Sequence, residues 1–358
     1  MPDNALPFAA ARAHANIALI KYWGKRDEKL ILPISPSLSL TLDSLYTDTA
    51  LMPSSDGRWH FVLDGQEQGG EALKRVVDFA RIFPVSATAP IPSTPAAATP
   101  LTIISHNHVP TAAGLASSSS AFAALAWALR DYFGLAGPGR DGRSLSDQAL
   151  SACARQGSGS ATRSIFGGFV EWTYGQREDG ADSFALPVDD GKWDLGLIAV
   201  ALSTGKKKIS SRAGMKHTAE TSAFYPLWRQ ASERDLQRVL EGIANRDVDL
   251  IGQAMEANAM KFHATMFSAD PPLTYLTARS WEVIEFVWAM RQEGVSAYFT
   301  MDAGPNVKIL CRKSQMEEIS RRLRERFPQA VLFQSTSGSG PISLDFARWS
   351  QLYGEPSV

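Results

Sequence analysis

The chain has 358 residues, a length that suits two domains or one large one. Hydrophobic residues make up 44% and charged residues 20%, a balance that supports buried cores and argues against disorder. With 36 basic against 37 acidic side chains the net charge is −1, so bulk attraction to nucleic acid or to a membrane surface is not expected.

Two cysteines, Cys153 and Cys311, lie far apart and match no metal spacing; a reduced, cytoplasmic setting is the simple expectation. The opening MPDNALPFAAARAH lacks the basic and apolar regions of a signal peptide. No apolar run reaches the ~18 residues of a membrane span. No repeat recurs at a solenoid period.

In chain order, Ala9 to Ile20 reads as a strand broken by Lys21 to Asp27. Ser37 to Leu42 alternates strictly and predicts a strand with a polar face. Short strands follow near Tyr46 to Leu51 and Trp59 to Leu63. Glu71 to Phe83 is helical, with Leu73, Val76, Val77 and Ala80 on one face and Lys74 and Arg75 flanking it. Pro84 to Pro100 reads as an extended loop. The strand Leu101 to Ser105 then leads into PTAAGLASSSS, Pro110 to Ser120, and a long apolar helix.

A helix from Leu145 to Arg155 with Ser144 as cap precedes a second small-residue loop, Gly157 to Arg163, and a strand from Gly168 to Thr173. The domain boundary is placed near Val188, giving residues 1–187 and 188–358, with a return of the final strand to the first domain left open. Beyond it come a strand at Leu195 to Leu202 and helices at Thr218 to Gln230, Leu236 to Ala244, Val248 to His263 and Ser280 to Gln292. Pro226 predicts a kink or break in the first of these. Strands Ala297 to Met301 and Val307 to Leu310, the helix Ser314 to Phe327 and a strand from Ala330 close an α+β fold.

A glycine- and serine-rich turn feeding a helix gathers unpaired backbone N–H groups and the positive end of the helix dipole at one point. That point suits a phosphate, although a serine-capped helix without a ligand fits the same letters. No Gly-Lys-Ser/Thr follows, so it is not a Walker loop. Lys21 to Lys25, Ser158 to Arg163 and Asp302 are three further polar clusters at strand ends or loops. Singly, each has a bland explanation: solvated lysines, a surface ion pair, a turn aspartate. Together, and without a metal-binding set or a GxSxG elbow, they point to a site for an anionic substrate and a nucleotide.

AHANIALIKYWGKRD, PTAAGLASSSS, GSGSATRSIFGGFVEW and YFTMDAGPN resemble the signature blocks of the mevalonate diphosphate decarboxylase family, within the GHMP kinase superfamily. The serine turn alone would suggest the superfamily, whereas the other blocks are specific to the decarboxylase branch. The resemblance implies a two-domain GHMP kinase fold, with an N-terminal domain like ribosomal protein S5 domain 2 and a ferredoxin-like C-terminal domain. It implies ATP- and Mg²⁺-dependent decarboxylation of (R)-5-diphosphomevalonate to isopentenyl diphosphate, ADP, phosphate and CO2. It also implies a homodimer, with neither nucleic acid nor membrane as partner.

The resemblance carries roles onto residues. Asp302 is expected to orient the 3-hydroxyl and take its proton, with Lys21 keeping it ionised and Asn16 orienting the pair. Arg163 is expected to grip the substrate carboxylate. Tyr22, Trp23, Gly24, Lys25, Lys74, Ser158, Gly159, Ser160, Ala161, Thr162, Ser211 and Arg212 are the expected substrate contacts, largely for the diphosphate. Lys74 stands where many family members carry arginine, so charge is kept while the fork geometry is lost. Asn107, Ala113, Gly114, Leu115, Ala116, Ser117 and Ser118 are the expected nucleotide contacts, with Ser118 reaching the γ-phosphate or its Mg²⁺. His106, His108 and His263 are assigned nothing. Two competing readings remain: a related enzyme acting on 5-phosphomevalonate or phosphorylating mevalonate without losing CO2, and a non-catalytic nucleotide-binding protein on the same fold.

Overall fold

The computed structural model describes residues 8–83, 100–109, 117–137, 144–202 and 209–356. The expected loop at 84–99, the turn residues 110–116 and the lysines at 206–208 lie outside them. The first expected strand forms β1 (Ala9–Ile20), and Lys21 to Gly24 leave it before the short β2 (Lys25–Asp27) and β3 (Leu32–Pro33). The two expected strands after Ser37 are one continuous strand of 17 residues, β4 (Ser37–Pro53). Its continuity comes from its neighbours: β1 pairs along most of its length, with a register shift between His14 and Asn16.

The rest of the first half comprises β5 (His60–Leu63), β6 (Gln66–Glu67), α1 (Gly70–Ala80), β7 (Leu101–Asn107), α2 (Ser117–Tyr132) and α3 (Asp147–Gly157). A 3-10 segment, Gly159–Ile165, then precedes β8 (Phe169–Trp172) and β9 (Ala185–Asp189). The small-residue run expected as a loop is therefore helical. It is compact because glycine lets neighbours come close: a Cβ on Gly157 would sit 2.1 Å from Phe122 Cδ1. The cap of α3 is Ser146 and not Ser144, with Ser146 Oγ accepting from Ala149 N at 3.2 Å. The preceding Leu145 is drawn into the core beside α2, which delays the start of the helix.

The second half contains β10 (Gly196–Ala201), α4 (Ser211–Thr221), α5 (Tyr225–Ala244), α6 (Val248–Phe267) and α7 (Ala278–Gln292). It continues through β11 (Ala297–Met301), β12 (Val307–Cys311), α8 (Met316–Arg326), β13 (Val331–Ser335), β14 (Ile342–Leu344) and α9 (Phe346–Tyr353). The break foreseen at Pro226 falls just ahead of it, and the proline occupies the first turn of α5, where its missing N–H costs nothing.

An eight-stranded sheet runs β14-β1-β4-β7-β5-β6, with β8 joined to β4 and β9 to β8; β5 and β7 are parallel and the other pairs antiparallel. A four-stranded antiparallel sheet runs β11-β12-β10-β13. One continuous core joins the two sheets. Ile17 and Leu19 of β1, Leu38 and Leu40 of β4, Val239 of α5, Met255 of α6 and Leu197 of β10 all belong to it. A second core lies under α1, α2 and α3, and a third under α7 and α8. The result is a two-domain α+β fold in which α6 packs against both sheets and α5 packs against α6 and β1.

The alternation in SLSLTL is real, but its polar face does not meet solvent. Ser37, Ser39 and Thr41 are all fully buried. Ser37 Oγ accepts from Arg163 Nη1 at 2.6 Å, and Thr41 Oγ1 donates to Phe166 O at 3.0 Å. Small hydroxyls here let the 3-10 segment sit close against the sheet, although Ser39 Oγ and Thr162 Oγ1 are buried without a hydrogen-bond partner among the described residues.

Candidate active site

Asp302 leaves the end of β11 in a turn fixed from three sides. Gly304 N donates to Asp302 O at 2.7 Å, Ser280 Oγ donates to Pro305 O at 2.7 Å, and Leu202 N donates to the buried Asn306 side chain at 2.8 Å. The carboxylate meets two ammonium groups. Lys21 Nζ donates to Oδ1 at 2.8 Å, and Lys308 Nζ lies 3.0 Å from Oδ2. Burial on its own raises the Asp302 pKa, but the charges of Lys21 and Lys308 outweigh it and hold the carboxyl well below the usual carboxylate range.

Lys21 is 2% exposed and also donates to Ala18 O at 2.8 Å. Burial lowers its pKa more than Asp302 raises it, to about 8. Its backbone N–H donates to Asn258 Oδ1 at 2.9 Å, and Asn258 in turn donates to Asp235, which pairs with Lys261 at 2.7 Å. This relay on α5 and α6 fixes where β1 ends.

Asn16 and Arg163 form the opposite wall. Asn16 Nδ2 donates to Ser160 O at 3.0 Å and Ser164 Oγ at 2.8 Å, and Arg163 Nε donates to Asn16 Oδ1 at 3.3 Å. Arg163 is 2% exposed, and burial lowers its pKa to about 10 against the opposing charge of Asp302. Arg163 also acts on Lys21 electrostatically. Two lysines and this arginine thus surround one carboxylate, leaving surplus positive charge for an anionic ligand.

That wall reaches the serine helix. Asn16 N donates to Ser119 Oγ at 3.5 Å, and the hydroxyl oxygens of Ser118 and Ser158 are 3.2 Å apart. Ser158 Oγ lies 3.3 Å from Ser160 Oγ. Ser117 and Ser118 open α2, while Ala113, Gly114, Leu115 and Ala116 lie outside the described residues. Asn107 ends β7, its side chain held by Val109 O at 2.9 Å and Thr47 Oγ1 at 3.2 Å.

The Tyr22 hydroxyl is buried with no hydrogen-bond partner among the described residues. Burial raises its pKa, and Glu28, Arg163 and Arg212 all act on it electrostatically. Arg212, in the first turn of α4, acts on Arg75 as well. The Tyr22 ring lies against Gly159 between Ser158 and Ser160, Arg75 reaches Gly157 O, and Arg212 acts electrostatically on both Tyr22 and Arg75.

Several expected contacts take other roles. Lys74 points outward, with a side chain 73% exposed, and pairs with Asp78 on its own helix. Arg75 faces the site instead: its Nη2 donates to Gly157 O at 3.4 Å and its guanidinium lies 5.3 Å from the Phe122 ring centroid. One residue is ~100° around a helix, so adjacent basic residues face different ways. Lys25 is paired with Glu28. Trp23 packs edge-on to Phe262 at 4.8 Å, in an aromatic cluster behind the site. Gly24 has φ +127°, and a Cβ there would lie 1.6 Å from Tyr225 Oη, the donor to Trp23 O. Gly159 lets the Tyr22 ring approach, whereas Ala161 and Thr162 are fully buried within the 3-10 segment. Ser211 begins α4, whose cap is Ser210.

Sequence reasoning missed Lys308, Asn258 and Arg75. Lys308 sits in an apolar strand, VKILC, where an isolated lysine among buried positions was the available signal. Asn258 carried none.

A strand-end aspartate between buried cations, facing a helix N-terminus lined with serines, defines a class of enzyme that moves phosphate on small anionic molecules. Comparison with known proteins narrows the class. Residues 13–185 match the diphosphomevalonate decarboxylase-like N-terminal domain, and residues 197–345 match the mevalonate 5-diphosphate decarboxylase C-terminal domain. The human diphosphomevalonate decarboxylase is 36% identical over 346 residues, covering 91% of this chain and 82% of its own. The crystal structure of mevalonate diphosphate decarboxylase from Staphylococcus aureus superposes with a TM-score of 0.85 at 38% identity, covering 95% of this chain and 99% of that one. A structure described as MDDEF in complex with MVAPP, AMPPCP and magnesium gives 0.84 at 40% identity, covering 95% and 100%. The chain belongs to the diphosphomevalonate decarboxylase family.

Proposed function

We propose that this cleft binds (R)-5-diphosphomevalonate with ATP and Mg²⁺ and produces isopentenyl diphosphate, ADP, phosphate and CO2. The observation that carries the reading is the Asp302 carboxylate, held ionised at 2.8 Å from Lys21 and acting electrostatically on Arg163, whose partner Asn16 reaches the serine helix. A tertiary hydroxide leaves poorly, so the 3-hydroxyl is first phosphorylated. Asp302 orients that hydroxyl and accepts its proton. A carboxyl held so low is a weak base in the empty site. A polyanionic substrate beside it restores proton affinity by adding negative charge.

Arg163 grips the carboxylate that departs as CO2, and Tyr22, Ser158, Ser160, Arg75, Ser211 and Arg212 receive the diphosphate. ATP would supply the phosphoryl group, and Mg²⁺, held by Ser118 together with phosphate and water, would neutralise charge on the phosphates. The donor set fits this pair. Among the described residues no cluster of three His, Cys, Asp or Glu side chains could hold a metal. Serine hydroxyls at a helix N-terminus suit Mg²⁺ bound mainly through phosphate and water, with Ser118 the nearest protein ligand. The domain division near Val188, a homodimer and a cytoplasmic setting complete the reading; sedimentation of the purified protein tests the dimer.

The deciding experiment compares wild type and Asp302→Asn for CO2 release and ATP binding. The variant is expected to bind ATP nearly normally and to lose at least the ~10²–10⁴-fold that a positioned base contributes. Turnover at the wild-type rate would end the base assignment. Parallel assays on mono- and diphosphate substrates separate this reaction from that of a monophosphate enzyme.

A further inference from the structure

Lys308 lies in β12 opposite Thr300 of β11 and Ala199 of β10, and it is 0% exposed. A wholly buried lysine is rare, and an ammonium taken out of water is costly unless paired. Its partner is Asp302, reached at the oxygen that Lys21 does not use. Three further charged or titratable groups surround this pair: Lys21 follows β1, Arg163 belongs to the 3-10 segment and His263 to α6. His263 is fully buried, and burial first, then the charge of Lys21, bring its pKa down to about 3, so it contributes no charge.

We propose that Lys308 is a positioning residue for the reaction: a fixed counter-ion that holds Asp302 aimed and charged, so that Lys21 can turn its own charge toward the substrate hydroxyl. With Lys21 alone, moving that ammonium onto the substrate would leave a half-buried carboxylate without a partner, which is unfavourable. A second ammonium on the far oxygen removes the penalty. The inference rests on the reading of Asp302 as the base.

The test measures kcat/KM from about pH 6 to about pH 10 for wild type, Lys308→Met, Lys308→Gln and Lys308→Arg, with thermal midpoints to establish folding. Lys308 is a like charge beside Lys21 and helps to lower its pKa. Neutralising Lys308 is therefore expected to move the alkaline limb upward by about one pH unit and to lower kcat by about 10²-fold. Lys308→Gln repeats the measurement should Lys308→Met not fold. Lys308→Arg keeps the charge and is expected to leave the limb where wild type has it. A limb unmoved in the folded neutral variant, or moved equally by arginine, overturns the inference. So does failure of both neutral variants to fold, which would make the lysine structural. Asp302→Asn separates the two readings: it stays inactive if Lys308 alone is misassigned, and it turns over if the base itself is wrong.

Discussion

Lys21 and Arg163 show how burial changes what a cation can do. Both are 2% exposed, and in both burial is the largest influence on the pKa and lowers it. Because kcat/KM reports the free enzyme, it should fall as pH rises through about 8, where Lys21 loses its proton. The sign follows from the charged form being the useful one: activity is retained below that pH and lost above it. A profile flat through that region would show that the Lys21 charge is not required. Arg163→Gln should lower kcat/KM by about tenfold or more, the scale of one charge-assisted hydrogen bond, with CO2 release slowed alongside. It also removes the partner of Ser37 Oγ, so the thermal midpoint should fall. An enzyme unchanged in both respects would argue against a carboxylate grip.

At the scale of elements, α4 is the clearest instrument. Its cap, Ser210 Oγ, accepts from Ala213 N at 3.1 Å, and Tyr275 Oη donates to Ser210 O at 3.1 Å. The two bonds aim the first turn, which carries Ser211 and Arg212, at the Tyr22 end of the cleft. Ser210→Ala should cost about 1 kcal/mol, the usual value of such a cap. Its functional trace should be a raised KM for the diphosphate substrate with kcat and the KM for ATP little changed. A rise confined to ATP would place this helix end on the other ligand. The adjacent pair Lys74 and Arg75 carries the same lesson. Both were visible as flanking cations, but only the packing of α1 beside Gly157 and Phe122 chose between them.

The molecule as a whole is closed by its C-terminal segment. β14 pairs antiparallel with β1 at Ala10, Ala11 and Arg12, extending the first sheet with the last strand. α9 follows and buries Trp349 against Ala10, Ala50, Ile104 and Leu344. Its Tyr353 stacks on His106 at 3.9 Å and donates to Asp48 Oδ2 at 2.6 Å, where Arg12 also binds. Trp349→Ala should therefore destabilise by ~3–5 kcal/mol, the range for emptying a buried tryptophan site. Trp349 belongs to a different hydrophobic cluster from Ala303, the neighbour of Asp302, so the pH profile should keep its shape; a displaced limb would couple this clasp to the site. The continuous core through α5 and α6 gives a companion expectation for calorimetry. Both sheets should melt in one transition, and two resolved transitions would show that the shared core is not cooperative.

Local order determined part of this protein. The mostly apolar β1, the strand Ala297–Met301 and the long periodic helices are set by neighbours a few residues away, so their pattern could be read directly. The chemical letters of the site, Asn16, Lys21, Ser158, Arg163 and Asp302, stood in recognisable blocks for the same reason. What only tertiary structure decided depends on partners far along the chain. Lys21 meets Asp302 across 281 positions, and Arg163 meets Ser37 across 126. The fusion of two expected strands into β4, the burial of its hydroxyl face, the contact of Arg75 with Gly157 and the charge of Lys308 beside Asp302 all follow from such meetings. A strand's length is fixed by what pairs with it, and a lysine's solvation by what surrounds it; neither is a property of the residues next door.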